Sequence, residues 1–403
     1  MEIIVIILFF IIVHSITAYY LLTDHVYIGE AYSVGRVSVD GLVIVLMLLS
    51  LVIGYIIIYR KYVKSDKYLL RRKYVVEINA KRLDWFYTID LAFNLFLFFR
   101  YGVGSAVGAG TSNLTFLTSI FSARTLFPFY YVIRREKKLH YIFNILLYAS
   151  LRLLQGWSSF LLTIAIIEVY FFFKGKGITG ITTKKIILSL ITPIGLVVGA
   201  GWFYSLIYPL KNYIRFDQVV FQPLSLKDGI TAVIDRLSFF SQAIASIQTA
   251  GLTKTIYLND SVTLGEIKGM LRPIVPGALM DKSFSTLPLC IKQSFVSYRA
   301  SGTSLNVGIY SYLYNLAYSD LLSFLVFIII IALLIYIFKR IIFAIQIEGQ
   351  HNRIIYFLFM INILHITALE PVFSYDYIPI LLMAPFLFIL RIYSVRHSEY
   401  YAY

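Results

Sequence analysis

The stretch GLVIVLMLLSLVIGYIIIY, residues 41–59, is followed at once by RKYVKSDKYLLRRKYVVEINAKR, residues 60–82. The first half carries no charge and is long enough to cross the hydrocarbon core of a bilayer as a helix. The second half holds Arg60, Lys61, Lys64, Lys67, Arg71, Arg72, Lys73, Lys81 and Arg82 against only Asp66 and Glu77. An apolar run closed by a basic cluster reads as a membrane span whose following loop stays in the cytoplasm.

The same alternation runs along the chain of 403 residues. Only 14% of residues are charged and 59% are hydrophobic, well below the charge content of a water-soluble domain. Apolar blocks near 2–22, 41–59, 85–99, 113–133, 140–155, 157–173, 186–208, 319–338, 354–371 and 377–391 predict about ten spans. The expected class is an all-α, polytopic transmembrane protein. Residues 1–208 would supply spans one to seven, 209–318 a large helical periplasmic loop, and 319–403 the last three spans and a cytoplasmic tail. Further basic clusters follow the fourth span (Arg134, Arg135, Lys137, Lys138), the sixth (Lys174, Lys176, Lys184, Lys185), the eighth (Lys339, Arg340, Arg353) and the tenth (Arg391, Arg396). One orientation satisfies them all, with both termini cytoplasmic. The net charge of +15 therefore reads as an orientation signal, not a nucleic-acid surface. The first apolar stretch has no basic n-region and no clear cleavage site, so it reads as a retained span.

Within 209–318, Ile230, Val233, Ile234, Leu237, Phe240, Ile244 and Ile247 recur at helical spacing. Gly251 reads as a helix stop, and Thr263 with Glu266 has the spacing of a capping box. Short amphipathic helices lying over the outer membrane surface are expected here.

Arg215, Arg236, Lys254, Lys268, Arg272, Lys282, Lys292 and Arg299 make this segment basic. A guanidinium is a planar fork suited to phosphate oxygens, so these residues suit a lipid diphosphate handled without a metal. A solvated or headgroup-facing surface is the plain alternative. Arg236 flanks the apolar stripe and is the most informative of them. Arg152 and Arg100 sit near the outer ends of spans, where an ionisable group is either functional or merely at the boundary. The glycine-containing stretch after Arg100 is not a P-loop, since the Lys-Ser/Thr ending is missing. The large segment has no histidine, so a base there would be a carboxylate: Asp217, Asp228, Asp235, Asp260, Glu266 or Asp281. Glu370, at the outer end of the ninth span, is another choice. His365 reads as a buried packing or hydrogen-bonding residue. No zinc motif, no cysteine pair (Cys290 stands alone) and no Asp-x-Asp signature occurs, so no metal or cofactor is expected.

In this layout the chain resembles the Wzy-type polymerases of oligosaccharide repeat units, which build bacterial O-antigen and capsule. The resemblance is architectural over nearly the whole length. Locally, Ala232-Val-Ile-Asp-Arg-Leu-Ser238 resembles the family's Arg-Leu-Ser opening of the loop. Leu271-Arg-Pro-Ile-Val-Pro276 with Asp281-Lys282 resembles its Arg element leading to Asp-Lys-Pro, although Ser283 stands where the proline would be. Asn306-Val-Gly-Ile-Tyr310 resembles its approach to the next span.

The resemblance implies a glycosyltransferase of the inner membrane. It would move a growing glycan from undecaprenyl diphosphate onto a new lipid-linked repeat unit. Membrane lipids, a chain-length regulator and a flippase would be its surroundings. Arg236, Arg272, Arg215, Arg299, Arg152, Arg100 and Lys282 would hold the diphosphate, and Tyr310 would pack on a sugar. Glu370, Asp217 or Asp281 would serve as base. An O-antigen ligase shares this architecture but carries a loop histidine, and a flippase or transporter is the rival from another class.

Overall fold

The computed structural model describes residues 2–65, 68, 74–104, 117, 120–135, 139–157, 159–175, 183–216, 224–262, 264–271, 275, 284–295, 307–347, 351–365 and 378–397. Side chains are not described at 29–30, 159, 175, 183–186, 188–190, 211–212, 214–216, 235–237 and 397.

The described chain is mostly helical. Helix α1 is Glu2–Thr23 and α2 is Gly41–Val63; α2 is capped by Asp40 Oδ1, which accepts from Leu42 N at 2.9 Å. Strand β1 is Tyr74–Ile78. Next come α3 (Ala80–Tyr101), α4 (Ala123–Ile133), α5 (Leu139–Leu154), α6 (Ser159–Gly175) and α7 (Thr183–Phe216). The large segment folds as α8 (Leu226–Leu237), α9 (Phe240–Gln248), α10 (Ala250–Asp260), α11 (Gly265–Leu271), α12 (Leu287–Phe295) and α13 (Gly308–Ser319). Helices α14 (Leu321–Ala344), α15 (Asn352–His365) and α16 (Ile378–Ile389) precede strand β2, Tyr393–His397.

Among the described residues, four helices are long and apolar enough to cross a membrane: α1, α2, α14 and the Ile191–Leu210 part of α7. Helices α5, α15 and most of α16 are apolar but shorter. The exposed faces fit this. Leu46, Leu49 and Ile53 of α2 and Leu325, Ile329 and Leu333 of α14 point outward, a burden in water and natural against lipid tails.

The all-α expectation needs one correction. Strands β1 and β2 pair antiparallel, from Tyr74 opposite His397 to Ile78 opposite Tyr393, and Val76 also bridges Ile345 beyond α14. The sheet joins three basic segments that lie far apart in the chain. Side chains reinforce it: Arg396 meets Glu77 at 3.3 Å, and Arg82 Nη1 donates to the carbonyls of Leu390 and Arg391 at 3.3 Å each. Arg353 lies over the Tyr62 ring and Lys339 over the Tyr68 ring, at 4.2 and 3.3 Å from their centroids.

The large segment differs from expectation in two ways. The apolar period from Ile230 to Ile247 is broken into α8 and α9 at Ser238 and Phe239. Helix α10 runs through Gly251, so the break falls at Thr249 instead. Thr263, the other half of the expected capping box, lies outside the described residues; the Glu266 carboxylate is buried, accepting from Leu287 N at 2.5 Å and from the Tyr312 hydroxyl.

Nor do these helices simply lie over a surface. Ser238 through Ser246 is continuously buried and packs among α1, α2 and α13. Helix α8 returns along α7, where a Cβ on Gly229 would come within 2.3 Å of the Gly201 carbonyl. Only glycine permits that approach. The turn between α1 and α2 covers α9 from the other side. Tyr27 Oη donates to Gln248 Oε1 at 2.5 Å, and Ile28 N donates to Ser241 Oγ at 2.9 Å.

Candidate functional site

The expected site residues divide sharply. Glu370, Asp217, Asp281, Arg272, Arg299 and Lys282 lie outside the described residues. Arg215 and Arg236 are placed by backbone only, Arg215 in the last turn of α7 and Arg236 in the last turn of α8. Arg100 is exposed at the end of α3, its guanidinium 5.7 Å from the Tyr101 ring centroid. Arg152 is buried at the end of α5. It donates to Gln155 Oε1 at 2.9 Å and lies 5.7 Å from the Trp157 ring centroid. Trp157 Nε1 in turn donates to the Gly104 carbonyl at 2.9 Å, so Arg152 braces a turn packed on a second turn. Of the other carboxylates, Asp228 is engaged with Ser225, the cap of α8, and Glu266 is used structurally as above.

The described residues bring together a different set. At about 3.6 residues per turn, His14 lies about two and a half turns before the Thr23 end of α1, inside the apolar helix. Its Nε2 is 2.9 Å from Tyr55 Oη on α2. That same hydroxyl is 2.7 Å from His365 Nε2, the last residue of α15. His14 Nδ1 is 3.3 Å from Ser238 Oγ, at the break between α8 and α9. Four elements thus contribute to one chain of polar atoms, Ser238–His14–Tyr55–His365.

Aromatic rings enclose it. Phe239 packs edge-on to His14 at 4.7 Å between centroids and tilts against His365 at 5.2 Å. Phe10 meets His365 edge-on at 4.5 Å. Polar groups in apolar surroundings must satisfy one another, and this chain does so through three contacts.

Two glycines let the surrounding elements close in. A Cβ on Gly54 would lie 2.8 Å from Tyr310 Oη, so Tyr310 stands beside the residue preceding Tyr55. Gly308 has φ +70°, and a Cβ there would lie 2.2 Å from Phe239 Cε2. Of the expected residues, Tyr310 is therefore carried to this cluster, and Arg236 is carried by its helix to within two residues of Ser238. Neither Arg100 nor Arg152 hydrogen-bonds to it. No group of three or more His, Cys, Asp or Glu able to hold a metal occurs among the described residues.

The sequence reading missed this assembly. It took a base in the large segment to be a carboxylate, since that segment lacks histidine, with Glu370 as the other choice; Glu370, Asp217 and Asp281 lie outside the described residues. Two imidazoles, from α1 and α15, meet the large segment at Ser238 and Phe239. The available signal was a histidine in the middle of an otherwise apolar first span, since such a residue seldom faces lipid.

No protein-family model matches the chain, and no curated protein and no solved structure shows significant similarity to it.

Proposed function

We propose that this chain is a membrane glycosyltransferase that polymerises undecaprenyl-diphosphate-linked oligosaccharide repeat units into O-antigen or a related surface polysaccharide. It would cross the bacterial inner membrane about ten times, with both termini in the cytoplasm. Residues 209–318 would work at the periplasmic face. The pairing of β1, β2 and the end of α14 supports the orientation, because segments assigned to one side by charge are hydrogen-bonded together.

One observation carries the reading. The helix bearing Arg236 leads directly into a buried imidazole–tyrosine–serine chain, with Tyr310 alongside. Glycan transfer from a lipid diphosphate needs cations for the departing diphosphate, a proton acceptor for the incoming hydroxyl, and rings for sugar faces. Arg236, Arg272, Arg215, Arg299 and Lys282 supply the first. Tyr310 supplies a ring, and the exposed pair Tyr314 and Tyr318 continues it as a parallel stack 6.2 Å apart. The acceptor and donor would both be lipid-linked, so no cofactor enters.

A ligase-type transfer of finished glycan is the second reading. The absence of histidine from 209–318 weighed against it, but His14 and His365 meet that segment at Ser238 and Phe239. Deleting the gene and profiling the surface glycan separates the two. Loss of polymer with single repeat units retained supports the polymerase. Loss of all surface glycan with lipid-linked polymer accumulating supports the ligase. An unchanged ladder sinks both.

A further inference from the structure

The two ends of the polar chain differ. His14 is fully buried, whereas His365 is partly exposed, and its Nδ1 has no hydrogen-bond partner among the described residues. Ser238, Tyr55 and each ring in its neutral form carry one exchangeable proton apiece, so the chain can be drawn in two ways. In the first, Ser238 donates to His14 Nδ1, His14 Nε2–H donates to Tyr55, and Tyr55 donates to His365 Nε2. His365 Nδ1 then carries a hydrogen. In the second, every bond is reversed and His365 Nδ1 presents a lone pair. Both use the same heavy-atom positions at 3.3, 2.9 and 2.7 Å. Among the described residues no carboxylate, lysine or arginine hydrogen-bonds to either ring, so no fixed charge among them selects one arrangement. A ligand hydroxyl that donates to His365 Nδ1 selects the second.

We propose that His365 is the proton acceptor of the glycosyl transfer, and that Tyr55 and His14 are positioning residues that set which of its ring nitrogens is free. This rests on the glycosyltransferase reading. The acceptor sugar's O–H bond breaks as its oxygen bonds to the anomeric carbon of the donor. The carbon–oxygen bond to the diphosphate breaks, and its electron pair leaves with undecaprenyl diphosphate. The proton goes to His365 Nδ1 and is then released to water. Until that release the positive charge stays on His365, because passing it to the fully buried His14 would cost more desolvation. The base is thereby assigned to α15 itself, not to a carboxylate.

The test compares His365→Gln, Tyr55→Phe, His14→Gln and the full deletion. Cells are scored for the surface-glycan ladder and for the amount of protein in the membrane. The same proteins, carrying ¹⁵N-labelled histidine in lipid nanodiscs, are scored by NMR for ring tautomers. Glutamine keeps a polar group but cannot take a proton at neutral pH, so His365→Gln should lower polymer at least about 100-fold at normal abundance. Tyr55→Phe should lower it roughly tenfold, the worth of one hydrogen bond. His365 should show both neutral tautomers in the wild type and one in Tyr55→Phe. A full ladder in His365→Gln, where the deletion has none, overturns the proposal and leaves the polymerase reading standing. Identical His365 tautomers with and without the Tyr55 hydroxyl overturn the positioning roles. A deletion that keeps the ladder sinks the polymerase reading first. Should His365→Gln fail to accumulate, His14→Gln and Tyr55→Phe decide by the same two readouts.

Discussion

Asp84 and Arg134 lie buried between α3 and the end of α4, and both carboxylate oxygens are taken. Arg134 Nε and Nη2 donate at 2.8 and 2.7 Å, and Tyr130 Oη donates at 2.9 Å. Asn144 from α5 donates to the Asp84 carbonyl at 3.1 Å and to Tyr130 Oη at 2.8 Å. A buried pair this well satisfied matters most when half of it is removed. Asp84→Ala should cost about 3–5 kcal/mol, because it removes the carboxylate that two guanidinium nitrogens bond in a buried setting. Combining it with Arg134→Met should recover most of that loss. Thermal unfolding in detergent measures both, and a double variant no more stable than the single one would contradict the argument. Gly308 is a second case. An alanine there would hold an unfavourable positive φ and press on Phe239, at a cost of roughly 1–3 kcal/mol. Phe239 also packs on His14 and His365, so under the proposed polymerase function Gly308→Ala should lower polymer as well as melting temperature. Polymer at the wild-type level in the destabilised variant would separate the packing from the site.

At the scale of elements, the connection from α14 to α15 carries a titratable group. His351 packs against the Tyr170 and Phe171 rings of α6, and Lys174 Nζ sits 3.3 Å from its Nδ1. Burial, then the charges of Lys174 and Arg135, push its pKa down from 6.5 to about 4. The unfolded chain therefore binds this proton at higher pH than the folded chain does. The stabilising contribution is complete above pH 6.5 and is lost as pH falls towards 4. Melting temperatures should drop over that window, and the drop should be smaller in His351→Gln; an equal drop in the variant would rule His351 out. This connection also shows what a sequence reveals. Helices α1, α2 and α14 are legible because an uninterrupted apolar run has one outcome in lipid. Strand β1 is not, because Tyr74–Ile78 finds its partner more than 300 residues later and has no alternation of its own. The break between α8 and α9 is hidden because the apolar period continues through it. The period reports burial, and burial persists on both sides of Ser238. His14 was readable as an oddity, but its meaning depends on Tyr55 and His365, which only the packing of α2 and α15 supplies.

Over the whole molecule, two sets of contacts tie distant parts of the chain together. The sheet gathers residues 74–78, 345 and 393–397, while the turn after α1 closes over α9 through Tyr27, Ile28 and Gln248. If α1 crosses the membrane, its two ends separate these sets. Glu2 accepts from Tyr62 at 3.1 Å, near the basic segment that leads to β1, and Thr23 leads into the turn. Cysteine labelling tests this directly, and the native chain offers a quiet background. Cys290 is fully buried, and burial, then Glu266 and Asp260, push its thiol up to about 12, so little reactive thiolate exists at neutral pH. Single cysteines placed at Ser33 and Asn259, both exposed, should react with a membrane-impermeant maleimide in intact spheroplasts. Cysteines at Lys81 and Ser394, also exposed, should react only after permeabilisation. Labelling of Lys81→Cys and Ser394→Cys from opposite sides would break the sheet and the orientation together, since strands joined by hydrogen bonds cannot lie across a bilayer from each other. Labelling of all four from one side would instead leave the sheet intact and remove α1 as a span.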